Sequence, residues 1–320
     1  MSGRSSFSAV SKYFRELSVA AVLVVLLLVL AIAAPAFFEP QPLFSRLARD
    51  TPTLVAACGM TPVILCRQID ISIGSQFAVC GVCAGMLAAG KEPAYVVCGA
   101  PLLIGAALGA FNGALVAGLR LPSIVVTLAT MVIAREGLRW TQQGAFINLP
   151  DGLQWFGLAQ RSGQCALIAF ALLLLAAMAW AMKHLSAGRF VYAVGSDAEA
   201  ARLAGLRPQL TTFLIFVLMG ALTGLAALMN LVQSPQVDPK SGTGIELKAI
   251  AAAVVGGVAV SGGRGRLWGV FAGVLLLACI NPALTYLRVE AYWEKAIQGA
   301  IILLAVVADG MRSRKAREAS

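Results

Sequence analysis

Ten stretches of this chain run thirteen or more residues without a charged side chain. Such runs leave few folds open, because a helix needs about 20 apolar residues to cross the hydrocarbon core of a bilayer. The runs cover residues 17–38, 51–66, 71–90, 93–119 and 121–134, the last continuing past Arg135 to Trp140. In the second half they cover 162–182, 208–237, 249–263, 267–287 and 296–308. Hydrophobic residues make up 59% of the chain and charged residues 12%, where a soluble domain carries about 25% charged. The expected fold is therefore all-α: a polytopic membrane helical bundle of about ten transmembrane helices, the shorter runs being re-entrant or tilted. A lipid bilayer is its first partner.

The first run has basic residues before it, like a signal peptide. No small-residue cleavage site follows, and Phe37-Phe38-Glu39-Pro40 suits a signal peptidase poorly, so the segment is expected to stay as a first span. The formal charge of +10 does not point to nucleic acid, because its placement follows membrane orientation. Arg4, Lys12 and Arg15 precede the first run; Lys183, Arg189, Arg202 and Arg207 surround a central loop; Arg312, Arg314, Lys315 and Arg317 form a tail. The positive-inside rule makes all three regions cytoplasmic, and the even number of runs agrees. The loop at 141–161 holds only Asp151 and Arg161, as the opposite face would. This divides the chain into a cytoplasmic tail at 1–16, a membrane domain at 17–310 with a central loop at 184–209, and a basic cytoplasmic tail at 311–320. Trp155, Phe156, Tyr292 and Trp293 read as outer interfacial aromatics.

Little in the chain supports catalysis. It has no HExxH or GxSxG, and no histidine near Ser72, Ser75 or Ser261 to activate them. Gly90-Lys91 is followed by Glu92, so there is no Walker A sequence and no means of hydrolysing ATP. The seven cysteines lie almost entirely within apolar runs. Cys80 and Cys83 match a CxxC spacing without the second pair a metal site needs, so they read as packing thiols. His184, the single histidine, reads as interfacial. No cofactor, metal or catalytic residue is expected. Among the few ionisable residues in or beside the runs, Arg135 and Glu136 read as interfacial. Asp70 and Glu246 could be interfacial or could line an interior cavity, because each follows a polar or glycine-rich break.

The central loop contains a helix with its own punctuation, from Ser196 to Gly205. Ser196 with Glu199 three positions on reads as a capping box, and Gly205 followed by Pro208 ends the helix. So short a helix is unstable alone in water, which makes it a candidate coupling helix docked on a separate ATPase. The two halves of the chain also echo one another. Gly105-x-x-x-Gly109-x-x-x-Gly113 and Gly269-x-x-x-Gly273 each lead through Leu-Arg to an apolar run, and Ile69-Asp70-Ile71-Ser72 parallels Ile245-Glu246-Leu247-Lys248. With an odd offset in spans, the halves form an inverted repeat of the kind transporters use for alternating access. The glycine spacing also lets helix backbones approach closely.

Three stretches, in order, resemble the permease subunits of ribose-type sugar ABC importers, also known as the branched-chain amino acid and sugar binding-protein-dependent permeases. Ile69-Asp70-Ile71-Ser72-Ile73-Gly74-Ser75 resembles that family's IDLSVGS segment. Gly195-Ser196-Asp197, Ala200-Ala201 and Gly205-Leu206 resemble its cytoplasmic loop. The block from Gly244-Ile245-Glu246 through Val255-Gly256-Gly257 to Ser261-Gly262-Gly263-Arg264-Gly265 resembles its C-terminal signature. The similarity runs over about residues 18–310.

It implies a permease in a bacterial inner membrane, paired with a second copy or a paralogue. It further implies cytoplasmic ABC ATPase subunits and a periplasmic sugar-binding protein that delivers a monosaccharide. Gly195, Ser196, Glu199, Ala200, Ala201 and Gly205 would form the ATPase-coupling loop; Asp70, Ser72, Ser75 and Glu246 would line the translocation path. Two departures stand out. Arg67-Gln68 replace two small glycines before the Ile-Asp stretch, and Ser196-Asp197 and Ala204 replace the commoner Gly-Asn and Ser. A stand-alone secondary carrier for a small polar solute is the alternative; the repeat favours it, but the scarcity of intramembrane acids and histidines does not.

Overall fold

The computed structural model describes residues 4–286 together with 290, 293, 295–300, 303, 304 and 307, and over 4–18 the backbone alone. Within these residues the chain is helical throughout, apart from one pair of two-residue strands. The helices are α1 (Arg4–Ala33), α2 (Pro40–Leu65), α3 (Ile73–Ala89), α4 (Ala94–Gly113), α5 (Ser123–Gln142), α6 (Gln160–His184), α7 (Ser186–Ser196), α8 (Ala198–Leu203), α9 (Pro208–Leu231), α10 (Ile245–Val255) and α11 (Leu267–Tyr286). Strands β1 (Ile147–Asn148) and β2 (Gln236–Val237) pair antiparallel and tie the loop after α5 to the loop after α9.

Among the described residues, four helical segments are long and apolar enough to span a membrane: Ala94–Gly118, α6, α9 and α11. Val19–Ala33 of α1 and α3 are shorter apolar helices. One apolar run differs from the expected pattern, and another is not tested by the described residues. The run at 249–263 is not one span: α10 covers only 11 residues, and Gly256-Gly257 release the chain into a turn before α11. The run at 296–308 lies partly outside the described residues, as do the basic tail and Tyr292.

The bundle is organised around α2 and α9. Every residue of α2 from Val55 to Leu65 is buried, and α9 packs on α2, α3 and α4. The contact between α4 and α9 is made backbone to backbone. A Cβ on Gly105 would stand 2.1 Å from the Gly220 carbonyl oxygen, and one on Gly224 would stand 2.0 Å from that of Pro101. Small residues four apart thus allow the approach that dispersion requires in lipid. Gly269 and Gly273 of α11 play the same part against Gly256, just past the end of α10, and Ala252 within it.

Outward faces are apolar: Ile32, Leu103, Ile133 and Leu173 are each at least 70% exposed or nearly so, at 84%, 73%, 70% and 69%. Asp70, Gln76, Asn112, Gln164 and Thr223 are buried. These few polar groups lie inside an otherwise apolar core rather than on the outward faces, where lipid would leave them unsatisfied. Trp155 departs from the interfacial reading. Its backbone lies at φ +52°, and its ring packs over Gly163 against the core, because the loop from β1 to α6 folds inward. Phe156 and Trp293 are exposed.

Candidate functional site

Two features stand out, one at the end of α2 and one at the start of α3, joined by only seven residues. The first includes the loop helix, whose start differs from the expected one. Ser196 is not its cap; it is the last residue of α7, and the break falls at Asp197, whose backbone is extended at φ −157°. The Asp197 carboxylate accepts from the amides of Glu199 and Ala200, both at 2.9 Å. An anion meeting the positive end of a helix outcompetes a neighbouring hydroxyl for that place. These two amides hold the Asp197 carboxyl below the usual range, with a smaller contribution from Arg67.

Gly205 at φ +86° ends α8, and Leu206 donates to the Ala201 carbonyl in a Schellman closure. Glu199 pairs with Arg202 on the surface rather than completing a capping box. Ala201 is buried, while Ala200 faces outward. The loop helix is thus a bent pair, α7 and α8, hinged at Asp197.

This pair is fastened to the end of α2. Gly195 lies so close to it that a Cβ there would meet the Leu65 carbonyl oxygen at 1.7 Å. The same oxygen accepts from Gly263 N at 2.9 Å. Arg67 donates through Nε to Gly195 O at 2.7 Å and through Nη2 to Ser196 O at 2.5 Å, neutralising carbonyls that the end of α7 leaves unpaired. Tyr192 donates to Gly265 O at 2.9 Å. Three segments distant in sequence, at 65–67, 195–197 and 262–265, therefore form one junction. Gly262 and Gly263 take left-handed backbone there, at φ +83° and +68°, which only glycine adopts without strain. A cavity of about 390 Å³ opens beside it, lined in part by Arg67, Arg120, Ala198 and Gln209.

Sequence reading found the glycines of the junction but not Leu65, Tyr192 or the clamp by Arg67. Arg67 stood out only as a departure from a familial glycine. Its φ of +60° explains why glycine is common there.

The second feature starts three residues beyond Arg67. Asp70 accepts from Ser72 N at 2.9 Å and from Ser72 Oγ at 2.5 Å, a local turn that launches α3. Ser72 Oγ in turn accepts from Gln76 Nε2 at 2.6 Å and from Asn112 Nδ2 of α4 at 2.8 Å. Ser75 bonds back to Ser72 O. All five side chains are buried. Asp70 Oδ2, Gln76 Oε1 and Asn112 Oδ1 have no hydrogen-bond partner among the described residues. Gln76 and Asn112 were missed in the sequence because amides scattered in apolar runs carry no spacing signal.

Glu246 lies beside this node, at the start of α10. It is half-buried and accepts from Gly244 N at 3.1 Å. Its Oε2 sits against Gly74, where a Cβ would come within 2.2 Å. The two acidic segments that echo each other in sequence thus meet at the first turns of α3 and α10. Arg135 also differs from its interfacial reading. It turns inward, is half-buried, donates to Ser241 O at 3.2 Å and interacts electrostatically with Glu246. Glu136 faces outward and pairs with Arg139. No cluster of three potential metal ligands exists among the described residues.

The family profile of the branched-chain amino acid transport system / permease component matches residues 43–306. The ribose import permease protein RbsC of Escherichia coli strain K12 is 32% identical over 317 residues, covering 98% of each chain. The autoinducer 2 import system permease protein LsrC of Klebsiella pneumoniae is 39% identical over 297 residues, 92% of this chain and 86% of its own. LsrC of Salmonella paratyphi B is 36% identical over 258 residues, 80% of this chain and 75% of its own. No solved structure matches. With more than four-fifths of its length inside the family profile, the chain belongs to the permease components of the branched-chain amino acid transport system family: a multi-pass membrane protein of ABC transport, and not itself a catalyst.

Proposed function

We propose that this chain forms the translocation path of an ATP-driven importer for a monosaccharide, with α7 and α8 as the lever that a separate cytoplasmic ATPase moves. A periplasmic binding protein delivers the sugar, and a second permease, a copy or a paralogue, completes the path. The tails and the α7–α8 end face the cytoplasm. Ribose is the monosaccharide among the solutes named for the relatives, and LsrC relatives are named for autoinducer 2.

The observation that carries this reading is the meeting of α3 and α10 at their first turns. α10 rises about 16 Å over its length, roughly half of a hydrocarbon core of about 30 Å. Running from the α2–α7 junction, it would bring Glu246 close to the bilayer midplane. Discontinuous helices whose N-termini converge at mid-membrane, in segments that echo each other across the chain, are how transporters build solute sites. Glu246 then faces the path, and Asp70, Ser72 and Ser75 hold the shape of its wall. Gly195, Ser196, Glu199, Ala200, Ala201 and Gly205 form the surface that docks on the ATPase.

The test is reconstitution into liposomes with the cognate ATPase and binding protein, followed by uptake of labelled ribose and a monosaccharide panel. Uptake is expected to need all three components and ATP. Uptake by this chain alone, driven by an ion gradient, would overturn the reading in favour of a secondary carrier.

A further inference from the structure

α5 is 20 residues long, enough to cross about 30 Å of hydrocarbon, yet it carries Arg135, Glu136 and Arg139. Glu136 and Arg139 pair with each other at 2.9 Å on the exposed face. Arg135 does not join them. It stands about 18 Å along the helix from Ser123, half-buried, and turns inward. An arginine at that depth is costly and is retained where a partner and a use exist for it.

Its place is set from two sides. Nη1 donates to Ser241 O at 3.2 Å, in the loop before α10, where Gly242 and Gly244 take left-handed backbone at φ +77° and +89°. Glu246, the second residue of α10, supplies the opposing charge. α5 and α10 both pack on α3, and Glu246 lies against its first turn at Gly74. No ion pair within 4.0 Å joins Arg135 to Glu246 among the described residues. Glu246 Oε1 accepts from Gly244 N at 3.1 Å, and Oε2 has no hydrogen-bond partner among the described residues. The carboxylate thus balances the charge of the guanidinium from a distance and leaves its donors unspent. Among the described residues, Ser241 O is the acceptor that Arg135 has.

We infer that Arg135 is a solute-contacting residue of the translocation path. Ser241 and Glu246 hold the guanidinium in place, and its remaining N–H groups donate to hydroxyl oxygens of the passing solute. A guanidinium offers a planar fork of donors and no acceptor, which suits the oxygens of a polyhydroxylated molecule. Because Glu246 already neutralises it, nothing is left for an anionic solute to balance, so the pair favours an uncharged one. The inference rests on the reading of this chain as a monosaccharide permease, and adds to that reading the donor that faces Glu246.

The test compares the wild type with Arg135→Lys, Arg135→Gln and Arg135→Gln/Glu246→Gln. Thermal unfolding is measured in detergent, and ribose uptake in liposomes with the cognate ATPase and binding protein. Arg135→Gln should unfold at the lowest temperature, because it strands the charge of Glu246. The double variant should recover most of that loss, and Arg135→Lys, which keeps the charge, should unfold close to the wild type. Uptake by Arg135→Lys should nevertheless fall at least about tenfold, since a lysine point charge does not replace a planar fork. In that variant the sugar-loaded binding protein should still stimulate the ATPase.

Normal uptake by Arg135→Lys would overturn the inference and reduce Arg135 to a counter-charge. A double variant no more stable than Arg135→Gln would overturn the pairing with Glu246 on which it is built. Loss of ATPase stimulation in Arg135→Lys would make Arg135 part of the scaffold instead. If Arg135→Gln does not fold, Arg135→Lys and the recovery of folding in the double variant decide the matter. The thermal comparison involves no transport. Uptake by the wild type on an ion gradient alone would therefore overturn the importer reading and leave the charge pair standing.

Discussion

Arg67 occupies a backbone conformation that costs an L-residue about 1–2 kcal/mol, and the side chain returns something for that strain by clamping the carbonyls of Gly195 and Ser196. The two contributions can be separated. Arg67→Ala keeps the strain and removes the clamp, while Arg67→Gly removes both. Arg67→Gly is therefore expected to unfold at a higher temperature than Arg67→Ala. In both variants the amides around Asp197 should exchange faster than in the wild type. Equal melting temperatures for the two variants would show that the backbone at 67 is not strained.

Asp197 offers a second separation, by pH. Its folded carboxyl titrates below the ordinary value, so the stability it lends α8 is present above the unfolded value of about 4. That stability is lost as pH falls through the depressed folded value. Amide exchange at Glu199 and Ala200 should accelerate over that acidic window. Asp197→Asn, which caps a helix about as well without titrating, should flatten the response. Neither residue was fully legible in the sequence. Asp197 was displaced by one position, since Ser-x-x-Glu is as good a capping pattern on paper. Arg67 could be seen only as an oddity, because nothing local announces that a side chain will reach residues about 130 positions away.

Among the elements, α3, α4, α6, α9 and α11 were read closely from charge-free runs, because a lipid solvent punishes charge so heavily that run and helix nearly coincide. By contrast, α1 and α2 begin more than ten residues before their runs, through charged positions. The reading failed where an apolar run contains its own glycine break, as after α10, since hydropathy cannot tell a span from a half-helix followed by a buried turn. Helix partners were legible only in part. The Gly105–Gly109 repeat announces a close contact, but its partner α9 shows itself only once Gly220 and Gly224 are seen against it.

The α7–α8 pair carries a prediction of its own. Ala200 faces outward and Ala201 is buried, although the sequence treats them alike. Ala200→Arg should leave α8 folded and disrupt only docking, giving normal expression with uptake reduced about tenfold or more as a close contact is lost. Ala201→Arg buries a charge against the bundle and should unfold α8, with a cost of several kcal/mol. Proteolysis within 196–206 distinguishes the two: the Ala201 variant should be cut readily and the Ala200 variant should not. If Ala200→Arg transports normally, the outward face of α8 is not a docking surface.

Across the whole molecule, the α2–α7 junction and the buried node at Asp70 are linked by two routes. The segment at 66–72 leads directly from Arg67 to Asp70, and the turn at 256–265 leads through α10 to Glu246. A lever at one end can reshape the path at the other only if these routes transmit movement, so damage at the two ends should look different. Gly195→Ala inserts a Cβ into the Leu65 carbonyl, forcing α7 away from α2. In the assembled transporter it should abolish both uptake and the stimulation of ATP hydrolysis by the sugar-loaded binding protein. Asp70→Asn removes a charge but keeps an acceptor for Ser72. It should therefore insert and fold normally. Uptake should fall at least about tenfold while binding-protein stimulation of the ATPase survives, because the fastening of the lever is untouched. Measuring both activities on both variants in liposomes gives four values with a specific pattern. Loss of stimulation in Asp70→Asn would mean that node and junction move as one rigid body. Normal uptake by that variant would reduce Asp70 to a turn-former at the head of α3.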